Sequence, residues 1–366
     1  MTDSGIVYFS KMFQAVPPLA QVARQLPGAF VSSRRSTLRA ARAHYPELLT
    51  ARYSRYFGAL SKGNRLLDGA DVIVTGSPYK SFLQPYSAKK CTVFHGTYMM
   101  LSQHALEQNA HFDLLCVTGP RMKTMIERFS LGMNLRTVDT GFLPFCEYPE
   151  RSAIQRGQVL RGLGLGVDKQ TVLYTSSRRG FGSWQRAAEQ LLKSAPAHFN
   201  VILRPHPSQA LTSRRRDRES FRHIQQLMTR RGNAFLDLSS RALSEVLSVA
   251  DLVVSDANSP SEEALFYDIP QLFIETPECS RDVIQAIGVK EAMHPDDLGQ
   301  LLTLYDCGPN LMIRDAQVDF SAILDKAIAD APAYAQQRQA YFSWVFGSRD
   351  RMAHQRVAEA IKTYLL

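Results

Sequence analysis

The feature that most constrains the fold is a repeated order of strand, turn and helix along the chain. Short apolar runs recur, and several are followed by Gly, Ser or Pro and then by a helical pattern. The eight runs are Ile6–Phe9, Asp71–Thr75, Cys91–Phe94, Leu114–Val117, Thr171–Tyr174, Val201–Leu203, Leu252–Ser255 and Gln271–Ile274. Alternating β and α units predict an α/β fold with open, doubly wound parallel sheets.

The distribution of the runs predicts two Rossmann-like domains, since four runs fall in each half of the 366 residues. The stretch Gly141 to Ser152 is rich in Pro and aromatic residues, has no periodicity and is the predicted hinge. We therefore expect an N-terminal domain over 1–148 and a second domain over 149–335. The tail, 336–366, is expected to be helical and can pack back on the first domain. Two such domains facing a central cleft would place both sets of strand ends at the ligand.

Composition excludes several classes of protein. The chain is 45% hydrophobic and 21% charged, which is typical of a soluble globular protein. No apolar run approaches the roughly 20 residues of a membrane span, and no secretion signal is recognisable, so we expect a cytoplasmic location. The five cysteines have neither CxxC nor metal-ligand spacing, which predicts buried, reduced thiols.

The net charge of +9 suits an anionic partner. Its densest cluster is Arg214 to Arg216, and smaller clusters occur at Arg34–Arg35 and Arg178–Arg179. None has the interleaved aromatic residues of a single-strand nucleic-acid platform, so we expect no nucleic acid partner. A solvated helix face or a peripheral contact with the anionic inner face of the membrane both explain these clusters.

The most informative strand end is "SDANSPSEEALF". Ser259 is the predicted N-cap, with proline at the first helical position and Glu262 completing a capping box. Free amides at a helix start attract phosphate, Asn258 and Ser259 would add side-chain donors, and Ser261 is expected to point into the same turn. Glu262 and Glu263 could accept hydrogen bonds from sugar hydroxyls. The alternative is that the capping residues only start a helix.

A second strand ends in Arg204-Pro-His206-Pro, where the prolines stiffen the turn and fix the direction of both side chains. A cation and an imidazole held in this way suit a pyrophosphate, although a core histidine in a tight turn is the alternative. The strand before Ser176, Ser177 and Arg179 leads into a weaker candidate for an anion-binding loop, which is neither a Walker loop nor GxGxxG.

His95-Gly96-Thr97 follows a buried strand of the first half. A histidine at the mouth of a cleft is a candidate general base for a hydroxyl nucleophile. Gly96 is expected to allow a tight turn and close approach of a substrate. The sequence contains no DxD, HExxH or GxSxG motif and no Cys/His cluster, so we expect neither a metal nor another cofactor.

Taken in order, these motifs resemble the CDP-glycerol glycerophosphotransferase family of teichoic acid and capsule polymer synthesis. His95-Gly96-Thr97 matches the family motif HGT, and Thr140-Gly141-Phe142 echoes TGYP. Leu173 to Arg179 resembles LYAPTWR, Leu203 to His206 resembles LRMH, and Ser255 to Ile274 resembles SDYSSVFFDFALLNKPILFY. The resemblance covers roughly residues 65 to 280.

The resemblance implies a GT-B fold and an enzyme that moves glycerol phosphate, or a similar alditol phosphate, from a CDP-activated donor to a hydroxyl with release of CMP. It makes His95 the base on a lipid-linked or polymeric glycan acceptor and gives His206 a second catalytic position beside Arg204, on the donor phosphates. The donor-binding residues expected in this way are Gly96, Thr97, Ser176, Ser177, Arg179, Arg204, Asp256, Asn258, Ser259, Ser261, Glu262 and Glu263.

The sequence departs from the family at Asn258 and Glu263, which replace a serine and an aspartate, and at Arg178, which replaces a tryptophan. An acidic pair in this helix is also found in GT-B nucleotide-sugar glycosyltransferases and UDP-sugar 2-epimerases. Those two classes are therefore alternatives, and a catalytically silent nucleotide-sugar-binding protein is a third.

Overall fold

A computed structural model describes residues 5–129, 135–210, 214–239, 241–314 and 317–366. The chain divides into two compact units. The first comprises Met1–Glu147 and Ser343–Leu366, and the second comprises Tyr148–Phe342. The sequence placed these boundaries after residues 148 and 335.

The first unit contains a seven-stranded, all-parallel sheet in the order β3-β2-β1-β4-β5-β6-β7. Its strands are β1 (Ile6–Phe9), β2 (Ala29–Ser32), β3 (Leu49–Arg52), β4 (Val72–Thr75), β5 (Lys89–Val93), β6 (Leu114–Val117) and β7 (Thr137–Asp139). Val7 pairs with Ala29 on one side and with Ile73 on the other. The central strands are buried on both faces, which explains their continuous apolar runs.

Six helices connect these strands: α1 (Val16–Gln25), α2 (Arg35–His44), α3 (Lys62–Asp68), α4 (Lys80–Leu83), α5 (Gln103–Asn109) and α6 (Pro120–Phe129). Helix α1 carries an apolar stripe that includes Leu19 and Val22 and packs into the core with Tyr8 of β1. The Tyr8 hydroxyl, which is buried, donates to the Leu26 carbonyl at 2.6 Å.

The second unit contains a six-stranded, all-parallel sheet in the order β10-β9-β8-β11-β12-β13. The strands are β8 (Gln170–Thr175), β9 (Phe199–Arg204), β10 (Ala234–Leu236), β11 (Leu252–Ser255), β12 (Gln271–Glu275) and β13 (Asn310–Met312). The helices are α7 (Ala153–Gly162), α8 (Trp184–Ser194), α9 (Pro207–Ala210), α10 (Arg215–Met228), α11 (Leu243–Leu247), α12 (Ser259–Ala264), α13 (Arg281–Lys290), α14 (Pro295–Leu302) and α15 (Ser321–Ala329). Helix α16 (Ala335–Phe346) begins in the second unit and ends in the first, since the chain passes from one to the other after Phe342.

The final helix, α17 (Ala353–Tyr364), belongs to the first unit. Val357 and Ile361 are fully buried in the same core as α1, and the Lys89 ammonium donates to the Leu365 carbonyl at 3.0 Å. In the part of the chain that the structure describes, no helix is both long and apolar enough to cross a bilayer.

Each of the eight apolar runs forms a strand, and five further strands were missed: β2, β3, β7, β10 and β13. Strands β3, β7 and β13 are short and at least partly exposed, so their polar sequences carry little apolar signal. In both sheets the strand order reverses beside the first strand, between β1 and β4 and between β8 and β11. Ligands of open parallel sheets bind at such switch points.

Candidate functional site

Unpaired polar atoms mark the switch point of the second sheet. Thr175 and Ser255 end β8 and β11 and are direct cross-strand partners. The hydroxyl oxygens of Thr175 and Ser255 and the amide oxygen of Asn258 are buried. Among the described residues, none of these three atoms has a hydrogen-bond partner. The Asn258 amide nitrogen donates to the Thr175 carbonyl at 3.3 Å, which ties the two strand ends together. Buried polar groups are almost always paired, so these three atoms indicate a place for a polar ligand or water.

The loop after β8 is held by Asp256, whose side chain is buried. Its carboxylate accepts hydrogen bonds from the Ser177 amide at 2.5 Å, from the Ser183 amide at 3.0 Å and from the Ser183 hydroxyl. A Cβ on Gly182 would lie 2.4 Å from the Ser177 carbonyl oxygen, so the loop requires glycine there. Burial raises the pKa of Asp256 to about 6, against the lowering effect of its serine partners. Asp256 was expected to bind the donor; in the structure its carboxylate holds the loop at Ser177 and Ser183.

The start of α12 differs from the capping box that the sequence suggested. Asn258 is the N-cap residue and makes no side-chain capping bond, and Ser259 is the first helical residue. Glu262 is fully buried and accepts a hydrogen bond from the Tyr341 hydroxyl at 2.8 Å, because α16 offers it a buried donor. The Ser261 hydroxyl donates to the Asn258 carbonyl at 2.5 Å. The capping box is therefore wrong, and the structure uses Glu262 and Ser261 within the protein.

Glu263 forms a small, partly buried cluster with Tyr148 and Arg204. The Tyr148 hydroxyl donates to a Glu263 carboxylate oxygen at 2.6 Å. Burial raises the pKa of Glu263 to about 7, although the Tyr148 bond and the positive charge of Arg204 act to lower it. Near neutral pH this side chain can therefore act either as a hydrogen-bond donor or as an acceptor. Tyr148 was missed in the sequence because it was one of several aromatic residues in the predicted hinge.

Arg204 is held in place by partners that the sequence did not suggest. Its guanidinium forms an ion pair with fully buried Asp237 and also donates to the Arg241 carbonyl at 2.7 Å. Arg179 is similarly paired with buried Asp217. Both arginines were expected to bind the donor phosphates, and the structure shows that each first neutralises a buried carboxylate.

His206 follows β9, and its Nδ1 accepts a hydrogen bond from the Ser208 amide at 3.2 Å. This bond leaves the proton of the neutral ring on Nε2. Burial, and secondly the positive charge of Arg178, lower the pKa of His206. At neutral pH His206 is therefore suited to donate a hydrogen bond to an anion, as expected of a residue that holds a phosphate.

His95 lies just past the end of β5 in the first unit. Its Nδ1 is 2.6 Å from the Gly76 carbonyl oxygen and 3.0 Å from the Tyr98 hydroxyl. A carbonyl only accepts, so Nδ1 carries the proton and Nε2 keeps its lone pair. Burial lowers the pKa of His95, against the effect of the Gly76 bond. The ring is therefore neutral at pH 7, in the tautomer that a general base needs.

The structure gives the surroundings of Gly96 and Thr97, the two residues that follow His95. A Cβ on Gly96 would meet its nearest neighbour, a Tyr98 ring carbon, at an ordinary 3.9 Å, and the left-handed residue of the turn is Tyr98 at φ 48°. The tight-turn reason for Gly96 is therefore wrong. Thr97 is buried, and its carbonyl accepts a hydrogen bond from Arg121 at 2.7 Å. Gly76 and Tyr98, which orient the histidine, had no sequence signal.

Among the described residues, no group of three or more His, Cys, Asp or Glu side chains is arranged to hold a metal ion.

Comparison with solved structures finds the same architecture in proteins of low sequence identity. The wall teichoic acid polymerase TagF, in a variant soaked with CDPG, matches with a TM-score of 0.67 at 14% identity, covering 99% of this chain and 90% of that one. Alr3699/HepE of Anabaena, in complex with UDP-glucose, matches with a TM-score of 0.57 at 14% identity, covering 98% and 99%. No family model and no curated protein sequence matches the chain.

The fold is GT-B. The α/β class and the two parallel sheets expected from the sequence are thereby confirmed.

The raised pKa of Glu263 predicts a pH dependence of stability for this GT-B chain. Between about pH 4.5 and 7 the folded protein keeps a proton on Glu263 that the unfolded chain releases, so the free energy of unfolding falls as pH rises. Glu263→Gln keeps an acceptor for Tyr148 but does not titrate. We expect the variant to gain up to about 3 kcal/mol over the wild type across this range, measured by urea unfolding.

Tyr148→Phe provides the matched test, because it removes the bond that lowers the pKa of Glu263. In Tyr148→Phe the free energy of unfolding should continue to fall to a higher pH than in the wild type. If the free energies of unfolding of the wild type and Glu263→Gln differ by the same amount from pH 4 to 8, Glu263 does not have a raised pKa.

Proposed function

We propose that the chain is a transferase of bacterial surface-polymer synthesis that moves glycerol phosphate, or a similar alditol phosphate, from a CDP-activated donor to a hydroxyl acceptor. The observation that supports it most is His95, whose Nδ1–H is held by the Gly76 carbonyl and whose Nε2 is left as a base. The GT-B fold shared with TagF and the HGT motif are consistent with this chemistry.

In this proposal His95 Nε2 takes the proton of the acceptor hydroxyl as the oxygen attacks the phosphorus that carries the alditol. A P–O bond forms to the acceptor, and the bond between the two donor phosphates breaks. CMP leaves with the electron pair, and the proton remains on His95. Phosphoryl transfer of this kind depends mainly on positioning and on fixed charges, which a rigid strand end supplies.

The donor would bind to the second unit. Thr175, Ser255 and Asn258 offer unpaired polar atoms at the switch point, and the neutral ring of His206 offers Nε2–H to a phosphate. Ser176, Ser177 and Ser259 lie on the segments that follow the same two strands. Arg204 and Arg179 would add positive charge while paired with Asp237 and Asp217. No metal is part of the proposal.

A nucleotide-sugar glycosyltransferase is the second candidate, favoured by the match to HepE with UDP-glucose and by Glu263 in place of an aspartate. A UDP-sugar 2-epimerase is less well supported. Such an enzyme needs several carboxylates at the sugar, and Asp256 and Glu262 are engaged within the protein. A catalytically silent nucleotide-sugar-binding protein would share the donor site but would have no use for His95 as a base.

The acceptor in the leading proposal is a lipid-linked or polymeric glycan, and the site of action is the cytoplasmic side of the cell membrane. The net positive charge of the chain suits a peripheral location there.

Thermal unfolding with CMP, CDP, CDP-glycerol, UDP, UDP-GlcNAc and GDP tests the donor. A ligand that binds only the folded protein stabilises it by about 2.7 kcal/mol at a hundred times its dissociation constant. We expect selective stabilisation by the cytidine nucleotides. Asn258→Ala should reduce that stabilisation, and His95→Ala, on the other unit, should leave it unchanged. Selective stabilisation by UDP and UDP-GlcNAc would replace the leading proposal with the glycosyltransferase.

A further inference from the structure

An arginine-lined cavity lies in the first unit, away from His95 in the sequence. It has a volume of about 340 Å³ and is lined by Leu38 and four arginines, Arg35, Arg39, Arg42 and Arg52. Three of the arginines follow the spacing i, i+4, i+7 on α2, so they share one face of that helix. The fourth ends the neighbouring strand β3.

The positive charge of this cavity is not neutralised by carboxylates. Residues 31–65 carry eight basic side chains and one acidic one, Glu47, which pairs with Arg24 at 2.7 Å. Within the described residues, no carboxylate oxygen lies within 4.0 Å of the cavity arginines, nor of Arg34 or Arg55. An anionic partner could therefore bind these arginines without displacing an internal ion pair.

Cations continue along the carboxyl edge of the sheet, where Lys11, Arg34 and Arg55 follow the neighbouring strands β1, β2 and β3. Burial lowers the pKa of Lys11, and the charges of Arg55 and Arg34 lower it further. The three cations are therefore close enough to repel one another, which concentrates positive charge at this edge.

Apolar side chains project beside these cations. Tyr56, Phe57 and Leu60 are 97%, 61% and 83% exposed. Their loop leaves β3 at Arg52 and returns to it, since the Ser61 hydroxyl donates to the Arg52 carbonyl at 2.7 Å. Both ends of the loop are thus fixed at a residue that lines the cavity, and three large apolar side chains are held in solvent next to the arginines.

We propose that this basic-apolar surface docks the protein on an anionic phospholipid bilayer. The surface consists of Arg34, Arg35, Arg39, Arg42, Arg52, Arg55, Tyr56, Phe57 and Leu60. The arginines bind lipid phosphates, for which the guanidinium has matching geometry, and the loop places its aromatic and aliphatic side chains in the interface. Charge complementarity selects an anion, and the exposed apolar residues select a bilayer over a soluble polyanion. Docking at this surface would give the proposed enzyme its peripheral location, but it requires neither a particular donor nor the transfer reaction.

The test is co-sedimentation of the full chain with vesicles of phosphatidylcholine alone and of equimolar phosphatidylcholine and phosphatidylglycerol. The wild type should bind only the anionic vesicles, and more weakly at high salt. Arg35→Gln/Arg39→Gln/Arg42→Gln should lose about fivefold in affinity per arginine, or roughly a hundredfold. Tyr56→Ser/Phe57→Ser/Leu60→Ser should also bind more weakly, and its residual binding should be more sensitive to salt.

Matched controls come from the second unit. Arg214→Gln/Arg215→Gln/Arg216→Gln removes the same charge, and Ile154→Ser/Val289→Ser removes exposed apolar side chains. Both should bind vesicles nearly as the wild type does. Equal losses in test and control variants would overturn the proposal, as would equal binding to neutral vesicles. A third outcome is that the Tyr56/Phe57/Leu60 variant binds vesicles as well as the wild type does and that the protein also binds soluble inorganic polyphosphate tightly. The surface would then be a polyanion site, and the membrane proposal would be wrong.

Discussion

Replacing His95 by alanine is expected to lower kcat by roughly 10²- to 10⁴-fold, the usual contribution of a positioned general base. The reason is the tautomer: the Gly76 carbonyl at 2.6 Å holds the proton on Nδ1, so Nε2 is the only ring nitrogen able to accept one. The measurement is release of CMP from CDP-glycerol in the presence of a hydroxyl acceptor, at saturating donor. The dissociation constant of the donor should change little, because the proposal places the donor on polar groups of the second unit.

The pH profile gives the same proposal a second readout. Burial lowers the pKa of His95 below the ordinary histidine value of 6.5, so the ring stays unprotonated to a lower pH. The acid limb of the kcat/KM profile should therefore lie below pH 6.5. His95→Ala should abolish this limb along with most of the activity.

Tyr98→Phe is the matched control for His95. It removes the hydroxyl 3.0 Å from Nδ1 but leaves the Gly76 carbonyl, which alone sets the tautomer. We expect a reduction of less than about tenfold, corresponding to one hydrogen bond. Full activity in His95→Ala would exclude the proposed base. Loss of donor binding in that variant would show that the histidine acts on the donor instead.

The fold was predictable from the sequence because a strand buried on both faces must be apolar throughout. Val72–Thr75 and Leu252–Ser255 are buried at every position, and both were identified. Strand β3 has one buried residue, Ala51, so its sequence LTAR carries no comparable pattern. Strand positions at a sheet edge are decided by pairing with a neighbour, which local sequence does not show.

The places of the candidate residues after strands were predictable from the sequence, but their contacts were not. His95 and His206 follow strands, as expected, because a parallel sheet places the ends of its strands at one edge. The partners that give these regions their chemistry come from far along the chain. The Tyr341 hydroxyl donates a hydrogen bond to Glu262, which was predicted to cap its own helix, and Asp237 forms an ion pair with Arg204. Such pairs depend on tertiary packing, and no spacing rule applies to them.

Arg204→Met is expected to destabilise the second unit by about 3–5 kcal/mol, because it leaves a fully buried carboxylate, Asp237, without its ion-pair partner. The Arg241 carbonyl also loses the hydrogen bond that Arg204 donates at 2.7 Å. Urea unfolding measures the loss, with the slope of the transition checked for two-state behaviour.

Two further variants separate the ion pair from a general effect of removing arginine. Arg215→Met removes one member of an exposed i, i+4 pair with Glu219 and should lower the free energy of unfolding by at most about 0.5 kcal/mol. Arg204→Met/Asp237→Asn removes both charges of the buried pair and should recover part of the stability lost in Arg204→Met, since the uncompensated charge is gone. If Arg204→Met is as stable as the wild type, Arg204 is not needed to neutralise Asp237. The role of the guanidinium would then be at the donor phosphates alone, and Arg204→Met should lose nucleotide-induced stabilisation without losing stability.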